Sequence, residues 1–124
     1  MGSESGGASF AGKRVLVVED EAIVAMLIED ILSDLGAVVV GPATRNAQAL
    51  ELLAQGPVDA AILDVNLRGG EKSAPIAEAL ALRGLPFVFA TGGSEDGVAE
   101  QFRDRPRLMK PFTMDGVQEA LEAL

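Results

Sequence analysis

Five short apolar segments alternate with stretches of helical periodicity along the chain, and this alternation restricts the fold more than any other feature. The segments end at turns, and their centres lack the polar–apolar alternation that a half-exposed strand shows. Uninterrupted apolar strands are typical of parallel sheets that are covered on both faces. The predicted strands are residues 13–19, 37–40, 58–64, 86–91 and 107–110.

Helices are predicted after each of these strands. They cover about residues 21–35, 45–54, 75–83, 94–103 and 113–124. Gly36 and Gly84 are placed to end the first and third helices. Pro75 suits the first turn of the third helix, and Thr113 is a candidate N-cap of the fifth. The residues expected to face the core are Ile23, Leu27, Ile31 and Leu35 in the first helix, Ala49, Leu50 and Leu53 in the second, and Val117, Leu121 and Leu124 in the fifth.

Strands that alternate with helices predict an α/β fold built from βαβ units. Right-handed crossovers place helices on both faces of the sheet. We predict a doubly wound, five-stranded parallel sheet in the order 2-1-3-4-5, which is the flavodoxin-like order. One domain, residues 13–124, accounts for the pattern, and the Gly- and Ser-rich residues 1–12 are expected to be a disordered tail or an expression remnant.

Charge and composition exclude several classes of function. The formal net charge of −9 argues against nucleic acid as a partner, because such binding depends on cations that neutralise phosphates. The longest strictly apolar run, residues 22–28, is far too short to span a membrane. The chain has no cysteine, which suits the cytoplasm. It has no histidine either, so no imidazole within it can be a base, a metal ligand or a phosphoryl donor.

Polar side chains stand where four of the predicted strands end. Glu19 and Asp20 follow the first strand, Asp64 ends the third, Thr91 the fourth and Lys110 the fifth. Parallel strands bring these ends to one edge of the sheet, where ligands bind beside the switch point between strands 1 and 3. Three carboxylates there would repel one another unless a divalent cation is bound. This set of groups is suited to binding Mg²⁺ and to moving a phosphoryl group onto an ionised aspartate.

Each of these residues alone also has an explanation that involves no chemistry. Asp20 can cap the following helix while Glu19 faces solvent, and Asp64 can be a turn residue. Thr91 can be a strand former beside a turn, and Lys110 can be a solvated side chain. The coincidence of all of them at one predicted edge is what favours a phosphoryl-transfer site.

The same residues lie in segments that resemble the receiver domains of two-component response regulators, over essentially all of residues 13–124. The matching segments are Val15-Leu16-Val17-Val18-Glu19-Asp20-Glu21, Ile62-Leu63-Asp64-Val65-Asn66-Leu67, Phe89-Ala90-Thr91-Gly92 and Met109-Lys110-Pro111-Phe112. The resemblance implies a cytoplasmic phosphorelay protein that turns over no separate substrate.

The resemblance also implies roles for the carboxylates. Asp64 is expected to accept a phosphoryl group from a phosphohistidine on a sensor histidine kinase or a histidine phosphotransferase. Asp20, Asp64 and the backbone carbonyl of Asn66 are expected to bind Mg²⁺. Glu19 is expected to contact the metal through a water molecule.

Further roles follow from the resemblance at the fourth and fifth strands. Thr91, Gly92 and Lys110 are expected to bind the phosphate oxygens and to act in the switch. The Lys110–Pro111 peptide bond is expected to be cis. Phosphorylation is expected to change the face formed by the fourth helix, the fifth strand and the fifth helix, to which an unidentified downstream protein would bind.

A narrower resemblance is to the "FAT GUY" receivers, which are often stand-alone regulators partnered with kinases of the HWE or related types. It rests on the segments 86–93 and 64–67. Gly93 replaces the tyrosine usual in that group, and Arg107 replaces the aromatic residue usual three positions before the lysine. We therefore expect a switch without its aromatic half. Asn66 and Gly93 are expected to tune dephosphorylation, since the Asn66 amide is placed to orient an attacking water.

Four alternatives remain open from the sequence. A phosphatase of the haloacid dehalogenase type also uses a strand-end aspartate and Mg²⁺, but it needs a second aspartate at position 66 and a cap domain. A flavodoxin-like electron carrier needs a phosphate-binding first loop, where residues 19–21 are acidic, and an aromatic side chain to stack on a flavin. A pseudo-receiver that works without phosphorylation, or a receiver excised from a hybrid kinase or longer regulator, would keep the same residues.

Overall fold

A single parallel sheet organises the computed structural model of the chain, which describes residues 11–65, 67, 72–91, 107–109 and 113–122. The five strands are β1 (Arg14–Val18), β2 (Val38–Ala43), β3 (Ala60–Asp64), β4 (Phe87–Thr91) and β5 (Arg107–Met109). Their order is β2-β1-β3-β4-β5, and every neighbouring pair is parallel. The predicted flavodoxin-like strand order is therefore confirmed.

The helices of the described residues are α1 (Ala22–Asp34), α2 (Asn46–Gln55), α3 (Ala74–Leu82) and α4 (Met114–Glu122). They correspond to the first, second, third and fifth helices predicted from the sequence. The fourth predicted helix, residues 94–103, lies outside the described residues, as does most of the predicted tail.

Alternate residues of the strands pack into two apolar cores, one on each face of the sheet. Leu16 and Val18 of β1 belong to the core that α2 and α3 cover, whereas Val15 and Val17 belong to the core that α1 and α4 cover. All four side chains are at most 1 % exposed. A central strand of this sheet has no solvent-facing side, and this explains why the sequence shows no alternation there.

Helix ends follow the signals read from the sequence. Gly36, at φ 87°, lies beyond the C-cap of α1, and the N–H of Ala37 donates to the carbonyl of Leu32 at 2.9 Å. Gly84, at φ 70°, ends α3 with the same motif. Both motifs satisfy carbonyls that the last helical turn leaves over.

The two predicted helix starts are also confirmed. Pro75 lies in the first turn of α3. At α4, the Thr113 hydroxyl oxygen accepts a hydrogen bond from the N–H of Gly116 at 3.0 Å, so Thr113 is the N-cap. This bond satisfies one of the amide groups that the first helical turn leaves without an intrahelical acceptor.

The predicted buried face of α1 is wrong in its first half. Ile23 is 83 % exposed and Leu27 is 40 % exposed, whereas Ile28 and Leu32 are fully buried. A spacing of four residues advances about 40° beyond a full helical turn, so four residues at that spacing cannot all stay on one face. The prediction that Leu50 of α2 faces the core is also wrong, for a related reason. Leu50 is 40 % exposed because it lies about 100° around the helix from the buried Ala49.

Of the remaining residues predicted to face the core, five are buried and two have side chains that are not described. Ile31, Leu35, Ala49, Leu53 and Val117 are buried as predicted. The side chains of Leu121 and Leu124 lie outside those that the structure describes.

Strand β2 continues three residues beyond its predicted end at residue 40. The register against β1 shifts between Leu16 and Val18, and this shift accommodates the Gly41–Pro42 dipeptide. Gly41 has φ 106°, and a Cβ there would lie 2.9 Å from the amide nitrogen of Ala43 and 3.0 Å from the carbonyl oxygen of Val17. Only glycine fits this position, and Gly41, which follows the predicted end of the strand at residue 40, is part of the strand.

Candidate functional site

Three carboxylates meet where β1 and β3 end. In the register of these strands Val18 pairs with Leu63, and Glu19 and Asp64 stand one residue further along each strand. One carboxylate oxygen from each of Glu19, Asp20 and Asp64 lies within 4.8 Å of the other two. The convergence predicted from strand order is therefore present in the structure for these residues.

Glu19 is held inside this cluster rather than in solvent. Its side chain is 1 % exposed, and its Oε2 accepts a hydrogen bond from the N–H of Glu21 at 3.2 Å. Its own N–H donates to the carbonyl of Ala43 in β2 at 2.8 Å. The N-cap of α1 is Glu21, whose side chain makes no capping bond within the described part of the chain. The reading in which Asp20 caps α1 and Glu19 is solvated is thus wrong.

The cluster concentrates negative charge at a largely buried position. Asp64 is 9 % exposed and Asp20 is partly buried. Two unit charges at this separation repel by about 3 kcal/mol at an effective dielectric constant near 20. That repulsion is a large part of the roughly 5–15 kcal/mol by which a domain is stable. A bound cation would remove it, so the charges are arranged for a partner of opposite sign.

The donor atoms suit a hard divalent cation. Carboxylate oxygens from one or two side chains, completed by water or phosphate oxygens, are the ligands that Mg²⁺ usually takes in phosphoryl-transfer sites. The residues present therefore fit the Mg²⁺ that the resemblance implies.

The strand pairing also positions the backbone of Thr91, another predicted site residue. Ala90 pairs with Asp64 in the sheet, and Thr91 follows Ala90 as the last residue of β4. Thr91 in turn pairs with Met109, the last residue of β5. The backbones of β3, β4 and β5 therefore end at one edge, as predicted.

Several predicted positions are not described. Asn66, Gly92, Gly93, Lys110 and Pro111 lie outside the described residues, and so does the peptide bond that was predicted to be cis. The cis peptide bond of the described residues is Gly41–Pro42. Arg107 begins β5 opposite Phe89.

Sequence reasoning missed two buried polar residues that bond to the backbone between β3 and α3. Asn46, 8 % exposed at the start of α2, donates from Nδ2 to the carbonyl oxygen of Lys72 at 2.6 Å. Ser73, 1 % exposed, donates its N–H to the carbonyl oxygen of Val65 at 3.1 Å. A signal existed for Asn46, because it stands three and seven residues before the inward-facing Ala49 and Leu53 and so occupies a core-facing helical position.

A doubly wound parallel sheet with clustered carboxylates at the switch point between β1 and β3 matches the receiver domains of two-component signalling that the sequence resembles. Residues 15–122 match the family described as the response regulator receiver domain. The chain therefore belongs to the response regulator receiver domain family. This membership decides against the haloacid dehalogenase and flavodoxin alternatives.

The matching proteins differ in how similar their sequences are to this chain. The solution structure of SdrG from Sphingomonas melonis Fr1 is 60 % identical with a TM-score of 0.82, and the match covers 90 % of this chain and 95 % of that one. The transcriptional regulatory protein PdtaR of Mycobacterium tuberculosis is 31 % identical over 89 % of this chain. The chemotaxis protein CheY of Thermotoga maritima is 29 % identical over 89 % of this chain and 95 % of its own length.

These relatives differ in length. The chain spans 55 % of PdtaR, so it corresponds to about half of that regulator. Receiver domains in general bind Mg²⁺ at an acidic pocket and interact with kinases or phosphotransfer proteins and with effector partners.

Within the described residues, every helix falls short of the length and apolar character needed to cross a membrane.

Proposed function

We propose that this chain is a working phosphoacceptor receiver in which Asp64 takes up a phosphoryl group in the presence of Mg²⁺. The observation that carries the proposal is the approach of one oxygen each from Glu19, Asp20 and Asp64 to within 4.8 Å. Repulsion among these carboxylates lowers the stability of the fold unless a cation is bound. Asp64 is a strand-end carboxylate that can act as a nucleophile.

The proposed donor is a phosphohistidine on a sensor histidine kinase or a histidine phosphotransferase, because the chain contains no histidine of its own. An oxygen of Asp64 attacks the phosphorus, the P–N bond breaks, and the imidazole nitrogen leaves with the bonding electrons and takes up a proton. The product is an acyl phosphate, which water later hydrolyses. The chain is a reactant in its own modification, not an enzyme with a separate substrate.

The other residues have supporting roles in this proposal. Asp20, Asp64 and the backbone carbonyl of Asn66 would hold Mg²⁺, and Glu19 would act through a water molecule. Mg²⁺, when bound, neutralises charge on the phosphoryl oxygens.

The remaining roles concern the phosphate and its lifetime. Thr91, Gly92 and Lys110 would bind the phosphate oxygens. Asn66 and Gly93 would set the lifetime of the acyl phosphate.

The cellular context is also part of the proposal. We place the chain in the cytoplasm, as a stand-alone regulator related to the FAT GUY group, with a kinase of the HWE or a related type as donor. The similarity to SdrG, 60 % identical with 95 % of that chain covered, supports the stand-alone part of this proposal alone. A second solution structure of SdrG is of its BeF3-activated conformation, and it has a TM-score of 0.77 with this chain. We propose that a downstream protein binds the face formed by the fourth predicted helix, β5 and α4, and that phosphorylation changes this face.

Intact-mass measurement tests the proposed function directly. The protein is incubated with a small-molecule phosphodonor with and without Mg²⁺, beside the Asp64→Asn variant. We expect one added phosphoryl group in the wild type with Mg²⁺, and none in the variant or after chelation. A folded wild type that gains no mass would instead make the chain a receiver that works without phosphorylation.

A further inference from the structure

One peptide group at the end of β2 is bonded both to the acidic cluster and to helix α2. Its carbonyl belongs to Ala43 and accepts the N–H of Glu19 at 2.8 Å. Its N–H belongs to Thr44 and donates to Oε1 of Gln48, also at 2.8 Å. A peptide group is planar, so a constraint on the direction of its N–H also constrains the direction of its carbonyl.

The side chain of Gln48 holds the N–H side of this peptide group with a single oxygen atom. The Thr44 hydroxyl donates to the same Oε1 at 2.7 Å, so two donors of one residue converge on one acceptor. Gln48 lies in the first turn of α2, four residues after Thr44. Two hydrogen bonds to one acceptor define the direction of the Thr44 N–H more narrowly than a single bond does.

The Ala43 carbonyl reaches Glu19 at a place where the pairing of β2 with β1 is irregular. Leu16 pairs with Val40, whereas Val18 pairs with Ala43, so β2 contains one extra residue over this stretch. An extra residue disrupts the ladder of hydrogen bonds locally. The sheet therefore supports the last peptide group of β2 less than a regular strand would, and the bond from α2 adds support from outside the sheet.

Glu19 carries this constraint into the acidic cluster. Its side chain is 1 % exposed, and its Oε2 accepts the N–H of Glu21 at 3.2 Å. One of its carboxylate oxygens lies within 4.8 Å of an oxygen of Asp20 and of Asp64. Like charges at this separation repel one another, so the backbone that carries them has to be held against that repulsion.

We propose that Gln48 is a positioning residue for the Mg²⁺ site, because it orients the peptide group between Ala43 and Thr44 and thereby fixes the backbone of Glu19. The inference rests on the proposed function of the acidic cluster. A carboxylate that is in place before the ion arrives does not have to be ordered on binding, so the ion binds more tightly. Gln48 contacts neither the ion nor the phosphoryl group in this proposal, and it acts through the backbone of Glu19.

The test is the Mg²⁺ affinity of Gln48→Met, measured by titration calorimetry in the absence of any phosphodonor. Methionine has a similar length and helix propensity, but its thioether is only a weak acceptor. We expect the dissociation constant to rise by about fivefold, which is less than the roughly 10- to 100-fold effect of losing a group bonded directly to a metal ligand. The effect is smaller because Gln48 is exposed and water partly replaces its oxygen. A dissociation constant equal to that of the wild type would overturn the proposal.

Gln55 provides a matched control on the same helix. It is the exposed last residue of α2, about two turns beyond Gln48. Gln55→Met makes the same chemical change at a distance from the peptide group that contacts Glu19, and we expect its Mg²⁺ affinity to equal that of the wild type. A loss as large as that of Gln48→Met would show that the affinity follows the general stability of α2, and would overturn the positioning role.

A role confined to the start of α2 predicts a different result. Within the residues that the structure describes, the N-cap Arg45 makes no side-chain capping bond, so the pair of Thr44 and Gln48 also secures the first turn of the helix. Loss of that support alone would accelerate amide hydrogen exchange in α2 and leave the N–H of Glu19 unaffected. In Mg²⁺-free Gln48→Met we expect exchange to accelerate at Glu19 while the amide of Val17 stays protected. Unchanged exchange at Glu19 would contradict the inference.

Thr44→Val tests the same contact from its other side. The substitution removes the hydroxyl and keeps the backbone N–H, so Gln48 loses one of its two donors. We expect the dissociation constant for Mg²⁺ to rise by about twofold, and to rise no further when Thr44→Val is added to Gln48→Met, because both changes act on one contact. Additive effects would mean that the two side chains act independently, and would count against the proposal.

Failure of this inference can be told apart from failure of the proposed function. If the wild type binds Mg²⁺ and takes up one phosphoryl group while Gln48→Met has the same Mg²⁺ affinity, only the role of Gln48 is wrong. If the folded wild type binds no Mg²⁺ in the same titration, the proposed function is wrong and the inference fails with it.

Discussion

The N–H of Glu19 donates to the carbonyl oxygen of Ala43 at 2.8 Å, so the last residue of the edge strand β2 fixes the backbone of the most buried carboxylate in the site. Ala43 reaches this position because the register between β1 and β2 shifts around Gly41. The geometry of the acidic cluster therefore depends on a dipeptide in the neighbouring strand, well before Asp64 in the sequence.

Replacing Gly41 by alanine should be more destabilising than a positive φ alone accounts for. A Cβ at residue 41 would lie 2.9 Å from the Ala43 amide nitrogen and 3.0 Å from the Val17 carbonyl oxygen, both of which are backbone atoms. We expect the free energy of unfolding to fall by about 3 kcal/mol, of which roughly 1–2 kcal/mol is the left-handed conformation. Urea denaturation followed by circular dichroism measures the change.

Gly84→Ala is the matched control for Gly41→Ala. Gly84 also has a positive φ, of 70°, but an added Cβ there would have no described heavy atom within 4 Å. We expect a loss of only about 1–2 kcal/mol, from the conformation alone. Equal losses in the two variants would mean that β2 can move away from Val17, and that the register shift is not rigid.

Removing one charge from the acidic cluster should stabilise the metal-free protein. Asp20→Asn relieves repulsion with Glu19 and Asp64 and is expected to raise the free energy of unfolding by about 1 kcal/mol, a value reduced because Asp20 is partly exposed. Asp30→Asn, at an exposed position of α1, should change stability by less than about 0.5 kcal/mol.

Mg²⁺ should reverse the order of stability between the wild type and Asp20→Asn. At a Mg²⁺ concentration one hundred times its dissociation constant, the wild type should gain about 2.7 kcal/mol, and the variant should gain much less at that concentration. Thermal unfolding with and without Mg²⁺, at constant ionic strength, measures this difference. An equal gain in both proteins would show that the ion binds elsewhere.

Two isoleucines of α1 test which face of the helix is buried. Ile28 is fully buried and Ile23 is 83 % exposed, although a four-residue spacing had placed Ile23 on the core side. Ile28→Ala should lower the free energy of unfolding by about 2–5 kcal/mol, whereas Ile23→Ala should change it by less than about 0.5 kcal/mol. Chemical denaturation of both variants decides the point, and a large loss for Ile23→Ala would restore the face predicted from the spacing.

The N-cap of α4 should contribute measurably to stability. Thr113→Ala removes the acceptor for the Gly116 N–H and is expected to cost about 1 kcal/mol. Thr113→Ser keeps a hydroxyl at the same position and should stay within a few tenths of a kcal/mol of the wild type. If serine proves as damaging as alanine, the contribution comes from the packing of the threonine methyl group and not from the cap.

The sequence determined the strands, their parallel arrangement and the identity of the clustered acids, because these follow from local patterns and from the alternation of strands with helices. An apolar run without alternation indicates a strand that is covered on both faces. Because the carboxyl ends of parallel strands share one edge of the sheet, the sequence predicts that Glu19, Asp20 and Asp64 lie close together. The glycine at the end of α1 and the threonine at the start of α4 were equally readable, since a helix end is satisfied by residues within a few positions of it.

Tertiary structure alone decided how those parts are held together. Gly41 and Pro42 are local signals for stopping a strand, yet β2 continues through them, because the backbone of β1 supplies hydrogen bonds that no local pattern encodes. The contact from Asn46 to Lys72 joins residues 26 positions apart, and its existence depends on how two crossover connections pack on one face of the sheet. Local chemistry chooses the elements and their ends, whereas long-range hydrogen bonds and packing choose which of their atoms meet.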